Sequence, residues 1–393
     1  MGRRSAYLVL AAAAALPRLA ALLAERSDIT DAFVDKGDDF ALTFLESGTY
    51  GFIPGIPSAY TQPLYGFFLI PLYWVFDRHW LLIGLAHTAV AVATAWLVYE
   101  IGRRVVDRKV GLVAALLTTL HPYLVWHDVH MNREILDHFL AAAAVLLTLV
   151  VVQRGGLLWA ALLGGVLGLM ILGNVRTLFL PLVFGAYVLW RRRDWTWEPA
   201  VALCVAALVL APWVIRNEVS VGCVAITTDA RALWKANNEQ TLETLQRGGW
   251  IDDVDNIPGA PITPQDAGEL YKETGRIVRT DECAQMRFYR ERALDFMVDH
   301  PGERRSSRRT GRSSSGSRRS RRPKGDPARA RSSTLPATGP SRSSSSRSSC
   351  SRSTDSCVCR GTSRRSPWHY SPTRPRWRCS SWGKRATACP GTS

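Results

Sequence analysis

Leu81–Ile101 reads LLIGLAHTAVAVATAWLVYEI, and its only charged residue, Glu100, stands one place from the end. As a helix this run rises about 30 Å, the thickness of a bilayer's hydrocarbon core. Outward from it, apolar runs recur at Met1–Ala24, Val110–Trp126, Ile135–Val152, Leu157–Leu172, Leu178–Trp190 and Ala200–Ile215. Each approaches the roughly 17–25 residues that a crossing helix needs. Leu178–Trp190 is short and must borrow flanking residues. One such run is compatible with the core of a soluble helical protein, but a series with so few internal charges is not. The predicted fold class is an all-α polytopic membrane protein of about seven transmembrane helices.

The run Met1–Ala24 opens with Arg3 and Arg4, the outline of a signal peptide. Pro17-Arg18 interrupts a cleavage pattern and further apolar runs follow, so it reads as an uncleaved first span. Basic residues then mark alternate connections: Arg3 and Arg4, then Arg103, Arg104, Arg108 and Lys109, then Arg154, then Arg191, Arg192 and Arg193. Alternate connections share one side, and the positive-inside rule makes that side cytoplasmic. The expectation is a multi-pass protein of the cell membrane, N-terminus cytoplasmic, with residues from about Arg216 outside. Leu64–Phe76 is also apolar, yet Pro63, Pro71 and Asp77-Arg78-His79 bound it closely. A crossing there would invert the charge pattern. With Phe40–Ser47 it is read as lying along the membrane surface, where Tyr65, Tyr73, Trp74 and Trp80 are favoured.

The net charge of +16 misleads, because residues 301–393 hold 23 of the 49 Lys and Arg and only 3 of the 33 Asp and Glu. Residues 1–300 are slightly acidic, so the charge is no argument for nucleic-acid binding by the front of the chain. The topology also puts the tail outside, which opposes a tail that binds nucleic acid or anionic lipid; the expected partners include membrane lipid and no nucleic acid. From Arg304 the chain is Arg, Ser, Pro and Thr with almost no aliphatic residue. It cannot bury a core and is predicted to be disordered. The change is abrupt, and the composition is what a GC-rich gene gives when read out of register. The tail is therefore expected to be out of frame and the chain cut short. A peptide mass map that finds Arg304–Ser393 would overturn this.

The expected organisation is a first transmembrane helix at 1–24, a first external loop with interfacial helices at 25–80, and transmembrane helices two to seven at 81–215. An extracytoplasmic α+β cap at 216–303 and the tail at 304–393 complete it. Within the cap, Val219–Thr227 is rich in β-branched residues and reads as a strand. Asp266–Val278 and Cys283–His300 read as helices. Cys204, Cys223 and Cys283 show no spacing that predicts a disulfide framework or a zinc site.

Chemistry-bearing residues concentrate in the loop Asp28–Gln62, DITDAFVDKGDDFALTFLESGTYGFIPGIPSAYTQ. Asp35, Asp38 and Asp39 precede its helix-like part. They suit the N-terminus of that helix, and equally a base at the membrane surface. The second outer connection, Trp126-His-Asp-Val-His-Met-Asn-Arg-Glu134, brings Asp128, Arg133 and Glu134 to the same surface. Three readings compete there: ordinary interface polars, a sugar-phosphate site, or, with His127 and His130, a divalent metal ion. The spacing matches no metal signature. Arg176, at the outer end of the fifth span, is a further phosphate candidate or a snorkelling side chain.

With that topology the chain resembles the membrane glycosyltransferases of the GT-C superfamily, in the protein O-mannosyltransferase-like and aminoarabinose transferase-like branch. The acidic first loop carries the resemblance, together with Ser58-Ala-Tyr-Thr-Gln-Pro-Leu-Tyr65, Ala211-Pro-Trp-Val-Ile-Arg-Asn217, Trp234-Lys-Ala-Asn-Asn238 and Phe288 to Glu303. It implies an enzyme that moves a sugar from a polyprenyl-phosphate carrier to a protein, lipid or glycan acceptor on the outer face. It also implies that a first-loop carboxylate, with Asp35 and Asp38 leading and Asp39 in reach, serves as base. No cofactor follows with certainty, and a divalent metal ion stays open. A transporter or envelope-assembly partner is the alternative class, although no internal repeat supports one.

Overall fold

Apolar runs become helices where their ends can be capped. The structure, a computed structural model, describes residues 2–300 except 194, 195 and 250. These residues lie within the first of two compact units, Met1–Gly316. The tail expected at 304–393 lies outside the described residues. In chain order the helices are α1 (Arg3–Glu25), α2 (Gly37–Ser47), α3 (Pro63–Phe76), α4 (Trp80–Val105) and α5 (Arg108–Thr119). Next come α6 (Pro122–Val129), α7 (Glu134–Arg154), α8 (Leu157–Gly173), α9 (Leu180–Arg192) and α10 (Glu198–Val221). The last are α11 (Arg231–Lys235), α12 (Glu239–Gln246), α13 (Pro264–Thr274) and α14 (Glu282–Asp299). Caps explain several boundaries. Asp107 accepts the Val110 N–H at 2.8 Å and starts α5. Thr263 and Asp266 form a reciprocal capping box on α13. Asp281 accepts the Ala284 N–H at 2.8 Å and starts α14.

Four stretches are long and apolar enough to cross a membrane: 3–30, 80–105, 134–154 and 198–221. The expected run Val110–Trp126 is split, because Pro122 cannot continue α5 and α6 departs from it by 59°. Counted as one broken span, this pair makes a fifth. α8 is apolar but only 17 residues long. α9 has 13 residues and rises about 20 Å, short of the hydrocarbon thickness. The seven expected crossings thus become four or five that qualify on length and composition.

The α+β cap is corrected too: no strand occurs among the described residues, and one isolated bridge joins Ile53 and Ile56. Val219–Val221 continue α10, whose hydrogen bonding ends only at Gly222, with φ of +85°. Thr227 and Thr228 make single bonds to the first loop rather than a ladder: Thr228 N–H to the Ala59 carbonyl and Thr227 Oγ1 to the Tyr60 carbonyl, both at 2.9 Å. A second correction concerns Cys223 and Cys283, which form a disulfide across 60 positions. It ties the end of α10 to the start of α14.

Small residues set the closest helix crossings. A Cβ on Gly164 of α8 would collide with the Ala202 carbonyl of α10, and one on Gly168 would come within 2.7 Å of Val209 Cβ. Where α2 meets α3, a Cβ on Gly37 would lie 3.0 Å from both Gly66 N and Tyr65 Cδ1. One aromatic cluster then joins the first loop to α8, α10 and α13. Phe40, Tyr50, Phe52 and Tyr60 pack with Leu172 of α8, Trp213 of α10 and Ala267 of α13.

Candidate active site

Three carboxylates singled out in the sequence, Asp35, Asp38 and Asp39, line one cleft of about 320 Å³. The first loop supplies one wall, with Lys36, Phe52 and Arg78. The cap helix α13 supplies the other, with Gln265, Glu269 and Lys272. Ordinary ligand sites begin at roughly 300 Å³, so the cleft admits a small polar group.

The three acids have different surroundings. Asp35 stands just before α2, where its Oδ1 accepts the Gly37 N–H at 2.7 Å. Its own N–H donates to the Met131 carbonyl at 2.9 Å, which joins the loop before α2 to the connection between α6 and α7. Burial raises the Asp35 carboxyl above the usual carboxylate range; Arg133 and the Gly37 N–H oppose the rise, and Glu134 adds to it. Asp38 is buried and fully engaged. Tyr73 Oη donates to its Oδ1 at 2.6 Å, and Arg78 grips it in a fork, with Nε 3.0 Å from Oδ1 and Nη2 2.9 Å from Oδ2. Arg78 Nη2 also donates to the Thr30 carbonyl at 2.6 Å. Asp39 is partly exposed and reaches across the cleft to Lys272 Nζ at 2.5 Å. The helix-capping expectation holds in part: Asp38 and Asp39 occupy the first turn of α2, but the bond to a helix N–H comes from Asp35.

The segment Trp126–Glu134 divides. Arg133 Nη1 donates to Gln62 Oε1, and its charge acts on Asp35. Glu134 opens α7, and its Oε2 is buried with no hydrogen-bond partner among the described residues. Asp128 is turned away into the helices, where its Oδ2 accepts from Arg18 Nε at 2.9 Å and from Nη2. His130 Nδ1 meets the Trp126 carbonyl at 2.7 Å, and His127 Nδ1 meets Asn132 Nδ2 at 2.9 Å. These side chains diverge, and among the described residues no group of three or more His, Cys, Asp or Glu is placed to hold a metal ion. Arg176 is exposed, with its backbone N–H bound to Asn174 Oδ1.

Sequence reasoning missed Lys36, Arg78 and Lys272 as cleft residues, because their partners lie 193, 40 and 233 positions away. It also missed what fastens the cap. Glu282 of α14 is buried and accepts from the Ala59 N–H at 3.0 Å and the Thr228 hydroxyl at 2.8 Å. Burial raises its carboxyl, against the pull of Ser58, Ala59 and Thr228. Arg216 Nη1 and Nη2 hold the Ser58 and Tyr50 carbonyls, each at 2.8 Å. Arg216 is therefore occupied with the loop backbone. Lys36 Nζ binds Asp229 at 3.0 Å and sits 4.7 Å over the Tyr60 ring. Trp234 and Asn238 are buried in the cap, and Asn238 Oδ1 caps α12.

Residues 60–215 match the family model described as dolichyl-phosphate-mannose-protein mannosyltransferase. The match supports a GT-C-like glycosyltransferase and takes in Arg78, Asp128, Arg133, Glu134 and Arg176; the three first-loop carboxylates precede it. No curated protein and no solved structure matches the chain.

Proposed function

On the premise that this chain carries a GT-C-like glycosyltransferase core over residues 60–215, we propose that it moves a sugar from a polyprenyl-phosphate carrier to an acceptor hydroxyl at the outer membrane surface. The family description names dolichyl-phosphate-mannose, so a mannosyl-phosphate polyprenol is the first donor to test. The acceptor is a protein, lipid or glycan hydroxyl. The observation that carries the reading is the cleft itself, where Asp35 stands beside a cation-bearing second loop at the mouth of the apolar helices.

In this mechanism the acceptor O–H loses its proton to Asp35 as its oxygen attacks the anomeric carbon. The bond from that carbon to the carrier phosphate breaks, and the phosphate leaves with the electron pair. Arg133 balances the growing phosphate charge. Asp38 is the anchor that fixes Arg78 and the start of α2, and Asp39 with Lys272 keeps α13 over the cleft. Glu134 orients the acceptor from the second loop. Arg176 attracts the carrier's phosphate at the membrane surface.

The proposed topology keeps seven crossings, with α5–α6 as one broken span, α8 packed between α7 and α10, and the short α8 and α9 crossing where the bilayer thins to match them. Two facts support an outer site: the alternate placement of Arg clusters, and the Cys223–Cys283 disulfide, which belongs to an oxidising compartment. The test is transfer from radiolabelled polyprenyl-phosphate sugars by protein in membranes. Asp35→Asn keeps the acceptor oxygen for the Gly37 N–H but cannot take a proton. It should lower transfer by roughly 10²–10⁴-fold with unchanged membrane content. Full rates in both Asp35→Asn and Asp38→Asn would remove the chemistry from this loop.

A further inference from the structure

Lys36 follows Asp35 directly in the chain and lines the same cleft. An ammonium beside a carboxylate in one cleft pairs with it unless something holds it elsewhere. Here it is held elsewhere. Lys36 Nζ lies 3.0 Å from Asp229 Oδ2 and 4.7 Å over the Tyr60 ring. The Lys36 side chain is 34% exposed and that of Asp229 only 17%, so this is not a freely solvated surface pair.

Asp229 is a fixed partner. It sits between α10 and α11, next to Thr228, whose N–H donates to the Ala59 carbonyl at 2.9 Å. Its own N–H donates to Thr227 Oγ1 and its Oδ1 accepts the Ala232 N–H, both at 3.3 Å. Oδ2 is thereby left for Lys36. The nearby Arg231 is engaged by Asp266 Oδ1 at 3.0 Å. The other cations of the cleft are likewise paired, Arg78 with Asp38 and Lys272 with Asp39. Arg133 and Glu134 act on Asp35 in opposite senses from the start of α7, and Glu269 lines the cleft from α13. Lys36 is therefore the cation whose placement decides whether Asp35 stays free.

We propose that Asp229 is a positioning residue for sugar transfer: it holds the Lys36 ammonium toward the cap and so leaves the Asp35 carboxylate unpaired for the acceptor's proton. This role rests on the reading of Asp35 as the base. Without the Asp229 charge, Lys36 swings to Asp35. The base is then covered, and its affinity for a proton falls, because an opposite charge within about 4–6 Å lowers a carboxyl's titration by about one to three pH units.

The test uses the full chain in lipid nanodiscs and two readouts. One is transfer from radiolabelled polyprenyl-phosphate sugar. The other is the pH midpoint at which a carbodiimide, which adds to the protonated carboxyl, labels Asp35, located by fragmentation of its peptide. Asp229→Asn keeps an oxygen for the Ala232 N–H, and Asp229→Ala removes every acceptor for Lys36. In variants that elute like the parent, transfer should fall by roughly tenfold or more, and the midpoint should move to lower pH. Adding Lys36→Met to either should return the midpoint to at least the parental value and recover most of the lost transfer. A merely structural Asp229 would cost transfer without moving the midpoint, and Lys36→Met would not reverse the loss. Either result overturns the proposal, as does parental behaviour of both single variants. Full transfer by Asp35→Asn would sink the base reading separately, because the midpoint reports without any transfer step whether Asp229 keeps Lys36 off Asp35.

Discussion

A carboxylate works as a base only when ionised, so the surroundings of Asp35 set the pH at which transfer begins. An ordinary aspartate titrates near about 3.9. Burial holds Asp35 above that range, with Arg133 pulling it back. The rate should therefore rise with pH along a limb placed above the usual aspartate value. Arg133→Met removes a cation that favours the charged form, so the limb should move to still higher pH in a pH–rate profile, whatever happens to the maximal rate. The sign for stability is opposite. A group whose folded-state value is raised stabilises the fold most below its unfolded value, and that contribution is lost as pH rises through the folded value. Asn does not ionise, so Asp35→Asn should be at least as stable as the parent at neutral pH. The neighbouring Asp38 behaves differently. It is 3% exposed and held by Tyr73 and Arg78. Arg78→Met leaves a buried charge with one hydroxyl, and breaking such a pair costs roughly 3–5 kcal/mol. A large fall in the melting midpoint in detergent is expected, and an unchanged midpoint would show that water replaces the guanidinium.

Helices were the legible elements. The runs around Leu81–Ile101 and Ile135–Val152 became α4 and α7 with their ends displaced by a few residues, because apolar length and flanking charge are local signals. What local signals could not give was decided across the chain. Val219–Thr227 has strand composition, yet its first residues extend α10, since a helix already under way continues until something such as Gly222 stops it. The Cys223–Cys283 bond spans 60 positions and leaves no mark in either neighbourhood. In the cleft, three acids were visible as a cluster, while Arg78 and Lys272, the cations that bind Asp38 and Asp39, come from distant segments. The glycines make this scale testable. Gly164 and Gly165 are adjacent in α8, but a Cβ at Gly164 runs into the Ala202 backbone while one at Gly165 meets nothing within 4 Å. Backbone cannot rotate aside, so Gly164→Ala has to part α8 from α10, at about 1–3 kcal/mol for an overpacked contact. Gly165→Ala should be neutral or mildly stabilising through helix propensity. Melting midpoints of the pair in one detergent would decide it, and equal losses would mean that α8 does not cross α10 at Gly164.

At the scale of the molecule, the first loop and the cap have to share one side of the membrane. Thr228 bonds to Ala59, Glu282 holds the Ala59 N–H, and Lys272 reaches Asp39, so the two segments form one layer on the same side. The disulfide closes that layer. Cross-linking a loop of 60 residues removes about 4 kcal/mol of unfolded-chain entropy in the loop-closure account, and the tether at Cys283 adjoins Glu282, which holds the loop. Single cysteines at exposed positions Glu46 and Glu273 should then react with an impermeant maleimide from outside intact cells. One at Arg154, on the opposite connection, should react only after the membrane is opened. The parent protein should migrate faster on a non-reducing gel than after dithiothreitol, and Cys283→Ser should abolish that difference and lower transfer. Labelling of Glu46 and Arg154 from the same side would end the alternating topology, and with it an outer active site. Labelling as expected without any gel shift would leave the topology standing and remove the disulfide as the clasp of the cap.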